Sequence, residues 1–298
     1  MPGMGKNTTW TLMVFLSGLA LLGAGLQPRA QYSTQRSAQS PEPAYLGFDR
    51  NDYPGDSLLP ALKQSFSFAG YWLNAPPGAK SNSWTGKRAI LRDNGLGFLV
   101  LSNGRVSAEL NRAADAAALA ETDARTAIEN AQREGFSPGT VIFLDQEEGG
   151  RLLPKQQEYL FAWVDGIISA GFRAGIYCSG IPVKEGRYQS ITTANDIHDH
   201  AGTRKIVYFI YNDVCPPSPG CANSKSPPPA SASGIPFADI WQFAQSPHRK
   251  DFARACPANY NRDGNCYPPL GTSASSIYLD LDLDSANSVD PSNGRLQN

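Results

Sequence analysis

The sequence predicts an α/β protein folded as a modified, TIM-type β/α barrel: five βα units, three further strands and two disulfide-bearing insertions. Three observations carry that expectation. From residue 44 onward, short β-branched or aromatic runs alternate with segments of helical periodicity. Eight such runs can be counted, the number that closes a barrel of this kind. The runs are nearly continuous in apolar residues, as expected when both faces of each strand are covered. An open, doubly wound sheet is the alternative. It is weakened because GFDRNDYPG, after the first strand, lacks the glycine spacing of a phosphate-binding turn.

The elements follow in order. Tyr45–Asp49 (YLGFD) is a first strand, followed by a helix beginning at Ser57. Phe68–Asn74 is the second strand, and Trp84–Asn94 reads as a short helix closed by Gly95. Phe98–Ser102 is the third strand, and residues 111–134 form one long Ala-rich helix closed by Gly135. The fourth strand, 140–147, reads TVIFLDQE. Pro154–Ala170 places Tyr159, Leu160, Trp163, Val164, Ile167 and Ile168 at helical spacing, a stripe read as core. Arg173–Ser179 is the fifth strand, and a weaker helix covers 187–200. Ile206–Asn212, Asp239–Ala244 and Ile277–Asp284 complete the count, with polar insertions before the last two.

The N-terminus reads as an export signal over residues 1–30. Lys6 precedes the apolar stretch Thr11–Leu26, and small residues offer cleavage after Gly25 or Ala30. An uncleaved anchor is the alternative, and would be the chain's one route to a membrane. Residues 31–43 are a polar, disordered linker, 44–287 the barrel, and 288–298 a flexible tail. The protein is therefore expected to be secreted, periplasmic or held in the cell envelope, as a monomer. Export makes the cysteines interpretable. Cys215 with Cys221, and Cys256 with Cys266, bracket short loops suited to disulfides, and Cys178 sits in an apolar run as a buried thiol. No Cys/His spacing suits zinc, and His198, His200 and His248 read as solvated, so no metal or other cofactor is expected. A net charge of −1 gives no electrostatic case for nucleic acid.

The informative feature is where the acids fall. Asp145 and Glu147 are two apart at the end of the fourth strand and so project from one face. Asp49 closes the first strand, and Asp280, Asp282 and Asp284 punctuate the eighth. In a barrel, strands one and eight are neighbours with strand four across the mouth, so these acids converge on one cleft. Crowded carboxylates have their pKa values pushed apart, leaving one protonated acid beside anions, the division of labour that glycoside hydrolysis uses. A divalent cation held by oxygen ligands is the runner-up chemistry. Aromatic residues in the strands, Tyr71, Trp72, Tyr177, Tyr208, Tyr211 and Trp241, offer faces for sugar rings, and Asn74 and Gln242 offer amides for hydroxyls. Strand alternation allows half of the aromatics to face the cleft, with Tyr177 and Trp241 preferred.

GFD at 47–49, GTVIFLDQE at 139–147, GFRAGIYCSG at 171–180, IWQFAQ at 240–245 and the LDLD strand carry a resemblance. They resemble the family 25 glycoside hydrolases, which are peptidoglycan-cleaving lysozymes. They are also similar to a glycoside-hydrolase-like family first catalogued as a domain of unknown function and typified by a secreted mycobacterial protein. The resemblance implies a polysaccharide partner, peptidoglycan first. It implies that Glu147 is the general acid, with Asp145, Asp49 and either Asp280 or Asp282, Asp282 preferred, as the other catalytic acids. Asp280, Tyr177, Trp241, Gln242, Tyr71, Asn74 and Tyr211 are then expected to bind substrate. A non-catalytic glycan-binding protein with a degenerate cleft is the competing expectation. The doubled acid Glu147-Glu148 and the cysteine-bearing insertions depart from the lysozyme pattern.

Overall fold

The computed structural model describes residues 43–212, 227–245 and 281–295. The expected barrel forms. Its strands are β1 (Tyr45–Asp49), β2 (Phe68–Trp72), β3 (Gly97–Asn103), β4 (Val141–Gln146), β5 (Arg173–Ser179), β8 (Ile206–Tyr211), β9 (Ile240–Ala244) and β10 (Asp282–Ala286). They close in the order β1-β10-β9-β8-β5-β4-β3-β2. All neighbours are parallel except β10, which runs antiparallel to both β9 and β1. The remaining two strands, β6 (Val183–Glu185) and β7 (Gln189–Ile191), form a separate hairpin.

The direction of β10 corrects one expectation. The eighth strand, expected over Ile277–Asp284, is found at Asp282–Ala286, so Asp282 and Asp284 lie at its beginning and not at its end. Because β10 is antiparallel, its beginning lies at the mouth where the other strands end, and Asp282 pairs in register with Asp49. The barrel interior is filled by rings from alternate positions: Phe143 meets Phe209 at 6.0 Å between centroids, and Phe209 meets Tyr177 at 4.8 Å. Gly175 makes the space for the first of these, since a Cβ there would lie 2.3 Å from the Phe143 ring.

The helices are α1 (Leu59–Ser65), α2 (Arg88–Asp93), α3 (Ser107–Arg112), α4 (Ala116–Arg133), α5 (Pro154–Ser169) and α6 (Thr193–His200). Two differ from the sequence reading. The single helix expected over 111–134 is broken, because Asp115 accepts a hydrogen bond from the Ala118 amide at 2.9 Å and caps a new helix, α4. A run of alanines has helix propensity on both sides of such a break and does not reveal it. The helix expected over 187–200 starts later. Gly186, at φ 69°, turns the β6–β7 hairpin, and Thr192 then caps α6 by accepting from the Asn195 amide at 3.0 Å.

The far end of the barrel is floored by the chain beyond β10. Residues 288–295 belong to the stretch expected as a flexible tail, but they are pinned by hydrogen bonds. The Asp290 carboxylate accepts from the Phe98 amide at 2.8 Å, and Ser292 Oγ accepts from the Val100 amide at 2.8 Å. The Ser292 amide donates to the Phe98 carbonyl and its carbonyl accepts from the Val141 amide, both at 2.9 Å. Buried Arg88 donates to the Gly294 carbonyl at 2.7 Å while its guanidinium lies over the Phe136 ring. The expected signal segment, linker and both cysteine pairs, Cys215/Cys221 and Cys256/Cys266, lie outside the described residues.

Candidate active site

At the mouth, Asp49, Asp145, Glu147 and Asp282 line one pocket of about 170 Å³, together with Trp72, Tyr177, Gln242 and Gln245. The backbone is shaped to admit them. A Cβ at Gly70 on β2 would lie 2.5 Å from the Asp49 Cβ, and one at Gly104 would lie 2.5 Å from the Asp145 carbonyl oxygen.

A directed chain of hydrogen bonds runs along one wall. Gln245 Nε2 donates to Tyr177 Oη at 3.1 Å, and Tyr177 Oη donates to Gln242 Oε1 at 2.8 Å. Gln242 Nε2 then donates to Asp49 Oδ2 at 2.7 Å. The chain ends on an acceptor, which favours the ionised form of Asp49. Burial opposes this and dominates, lifting the Asp49 pKa from 3.8 to about 6, with the Glu147 charge adding to the rise.

Two acids have no such donors. Among the described residues, no N–H or O–H other than that of a neighbouring carboxyl reaches the carboxyl oxygens of Asp145 or Asp284, both buried. Each instead faces another carboxyl, Asp145 against Glu147 and Asp284 against Asp49. A buried carboxyl–carboxyl contact holds together when a proton lies between the two. Burial, then the neighbouring charges, push Asp145 and Asp284 well above the usual carboxylate range, so these two keep the proton. Glu147 is also raised, by burial of its carboxyl against the cleft wall, although the residue reaches solvent at the mouth. Burial and the four surrounding acids hold Tyr177 protonated throughout.

These raised values tie stability to pH. Acids that hold a proton in the folded state and lose it in the unfolded chain stabilise the fold fully below the unfolded value near 3.8. That stability is lost as pH rises through the folded values, about 6 for Asp49. Melting temperature is therefore expected to fall from pH 4 to pH 8, and Asp284→Asn to flatten that slope by removing one such proton. Equal slopes for wild type and variant in thermal unfolding across this range would contradict the pairing.

The loop carrying Glu147 is held from both sides. Glu148 turns away from the pocket and accepts from the Ser107 amide at 2.6 Å, Ser107 Oγ at 2.8 Å and Gln156 Nε2 at 2.6 Å. On the other side, Arg151 grips Glu185 of the hairpin at 2.7 Å and buried Asp196 of α6 at 2.9 Å. The second acid of the doubled pair is thus a clamp between α3 and α5.

The structure brings together Glu147, Asp145, Asp49, Asp282, Tyr177 and Gln242 as the sequence predicts. Tyr211 stands beside them, its ring stacked on Tyr177 at 5.7 Å. Three expected substrate-binding residues are placed elsewhere. Tyr71 faces the helices, donating its hydroxyl to Glu134 and packing against Trp84, Phe98 and Phe136. Trp241 points outward because its neighbour Gln242 points inward, and its indole donates to Asn212 at 2.7 Å. Asn74 lines a neighbouring hollow instead, its side chain bonded to the backbone of Asn103, donating at 3.1 Å and accepting at 2.8 Å. Asp280 and His248 lie outside the described residues. His198 stacks on Phe237 at 4.1 Å, and His200 bonds the Asp196 carbonyl.

Gln245 joins the site without having been singled out for it, and Trp72 and Asp284, named among the strand aromatics and acids but given no role, lie in the pocket wall and behind Asp49. Alternation was the available signal: once Tyr71 faces the helices, Trp72 must face the mouth, where its indole donates to the Arg50 carbonyl at 3.1 Å. Among the described residues, no group of three or more His, Cys, Asp or Glu side chains is arranged to hold a metal ion. Nor is any described helix long and apolar enough to cross a membrane.

Residues 77–203 match the model of the Rv2525c-like, glycoside hydrolase-like domain, in keeping with the family resemblance seen in the sequence. Among solved structures, the chain is similar to an uncharacterized B. stearothermophilus protein, with 16% identity, covering 80% of this chain and 94% of that one, at a TM-score of 0.49. It is similar to the Mycobacterium tuberculosis Tat-secreted protein Rv2525c, with 13% identity, covering 85% and 98%, at a TM-score of 0.48. It is also similar to the Clostridium perfringens spore cortex lytic enzyme SleM, with 15% identity, covering 84% and 69%, at a TM-score of 0.46. No curated protein sequence matches the chain.

Proposed function

We propose that this protein is a secreted glycosidase that cleaves a cell-envelope polysaccharide by acid catalysis, with peptidoglycan as the first candidate substrate. The observation that carries the reading is the convergence of Asp49, Asp145, Glu147 and Asp282 on one pocket, with Asp145 paired to Glu147 and Asp49 backed by buried Asp284. Glu147 reaches the mouth and delivers to the leaving oxygen the proton that it shares with Asp145, and the attacking water returns one to the pair. Asp145 is buried and protonated, so it serves as the partner that shares a proton with Glu147 and not as an anion. The anion that faces the developing oxocarbenium charge is Asp49, which accepts from Gln242 and ionises near pH 6. Asp282, half-buried at the same edge, positions water or sugar hydroxyls.

The lysozyme-like strand-end motifs support peptidoglycan, and the N-terminal apolar stretch supports export. Incubation of the purified protein with peptidoglycan, followed by reducing-end and product analysis, is expected to release muropeptide fragments between pH 5 and 7. Failure to release reducing ends from peptidoglycan at any pH in that window would falsify the catalytic reading.

The pocket volume favours a second reading. At about 170 Å³ it is smaller than the roughly 300–1,000 Å³ of typical ligand sites, and suits one sugar edge held without turnover. Retained saccharide affinity with no product would decide for that reading.

A further inference from the structure

We propose that a second hollow beside the acidic pocket is the subsite for the sugar on the leaving-group side, and that it takes an uncharged or amino sugar in preference to an acidic one. This rests on the glycan-cleft reading above and extends it to the other half of the substrate. The hollow, about 450 Å³, lies between the loop after β2, the end of β3, α3 and the middle of α4. It shares two wall residues with the acidic pocket, Pro77 and Glu147. A proton donor for glycoside cleavage must stand at the bridging oxygen, so the two sugars joined there lie on either side of it. With one ring against Asp49, Asp145 and Asp282, the next ring passes Glu147 into the hollow.

Small residues make the space. Gly104 admits no larger side chain, and α4 turns Asp123, Thr126 and Ala127, spaced i, i+3 and i+4, toward the hollow. The charge on the lining sets the preference. Glu109, Asp123 and Glu147 stand against the one cation of the lining, Arg105. That guanidinium is already engaged: it donates to Asp123 at 2.8 and 2.9 Å and reaches Glu109 at 3.4 Å. A sugar carboxylate entering here would meet carboxylates with no cation left to receive it, whereas hydroxyl, acetamido and ammonium groups carry no such penalty.

The test is calorimetric titration of the full chain with tetramers of N-acetylglucosamine, glucosamine and galacturonate. Three proteins are compared: wild type, Thr126→Trp, which fills the hollow from its exposed rim, and Thr126→Ser as the conservative control. Wild type is expected to bind the neutral and amino tetramers at least about tenfold tighter than galacturonate, and Thr126→Trp to lose about tenfold while Thr126→Ser does not. Affinity for the N-acetylglucosamine monomer should be the same in all three. Unchanged tetramer binding by Thr126→Trp, equal binding of galacturonate, or no binding of either preferred tetramer by wild type overturns the proposal. Because binding is read directly, its outcome separates from that of catalysis. Tetramers bound through the hollow without being cut would sink the glycosidase and leave the subsite. Full hydrolysis and full tetramer affinity in Thr126→Trp would do the reverse.

Discussion

Glu147→Gln is expected to leave the barrel folded and to lower glycan hydrolysis by about 10²–10⁴-fold, the usual contribution of a positioned proton donor. The substitution keeps the size and polarity of the side chain and removes the proton. Its fold should survive because the loop is held by neighbours of Glu147, namely Glu148 on Ser107 and Gln156, and Arg151 on Glu185 and Asp196. The change should also alter pH dependence. With the shared proton gone from the Asp145–Glu147 pair, the loss of activity on the alkaline side should disappear from whatever residual rate remains. Circular dichroism checks the fold, and reducing-end release from pH 4 to 8 checks the rate. A variant that is folded and as active as wild type would remove Glu147 from the mechanism.

Gly97→Ala should produce the largest loss of stability, about 2–3 kcal/mol, by overpacking against backbone that cannot rotate away. A Cβ at this position would lie 2.0 Å from the Val289 carbonyl oxygen and 2.8 Å from the Asp290 Cα. The floor segment would have to move, and with it the bonds from Phe98 and Val100 to Asp290 and Ser292. Gly149→Ala is the matched control. Its Cβ would make ordinary contact with Ser179 at 3.6 Å or more, so its effect should stay within about 0.5 kcal/mol. Urea unfolding of both variants measures the difference. Equal midpoints would show that the floor gives way at no cost.

Much of the barrel was legible because its strands are continuous apolar runs, and β1 and β5 fall at the predicted bounds. The acids were legible for the same reason: a charged residue closing such a run stands out against it. Side-chain direction was harder. Trp241 and Gln242 are adjacent, as are Tyr71 and Trp72, and composition alone does not say which of each pair faces inward. The structure resolves both pairs by partner: Gln242 bonds Asp49 and Tyr177, while Tyr71 bonds Glu134. The role of Asp284 depended on β10 running antiparallel, which brings its first residues to the mouth and buries Asp284 beside Asp49. Glu148 stood out in the sequence only as the second of a doubled acid. Its actual partners, Ser107 and Gln156, lie 41 and 8 positions away, beyond any local pattern.

The antiparallel β10 and the floor that follows it have a consequence for the order in which this molecule can be made. The first strand pairs with residues 282–286, and the barrel base is closed by residues 288–295. Loop-closure entropy is paid over nearly the whole chain before these contacts return anything. Until residues 282–286 are in place, β1 and β9 each keep one unpaired edge, open to pairing with another nascent chain. Closure of the barrel therefore waits until residues 282–295 have been made.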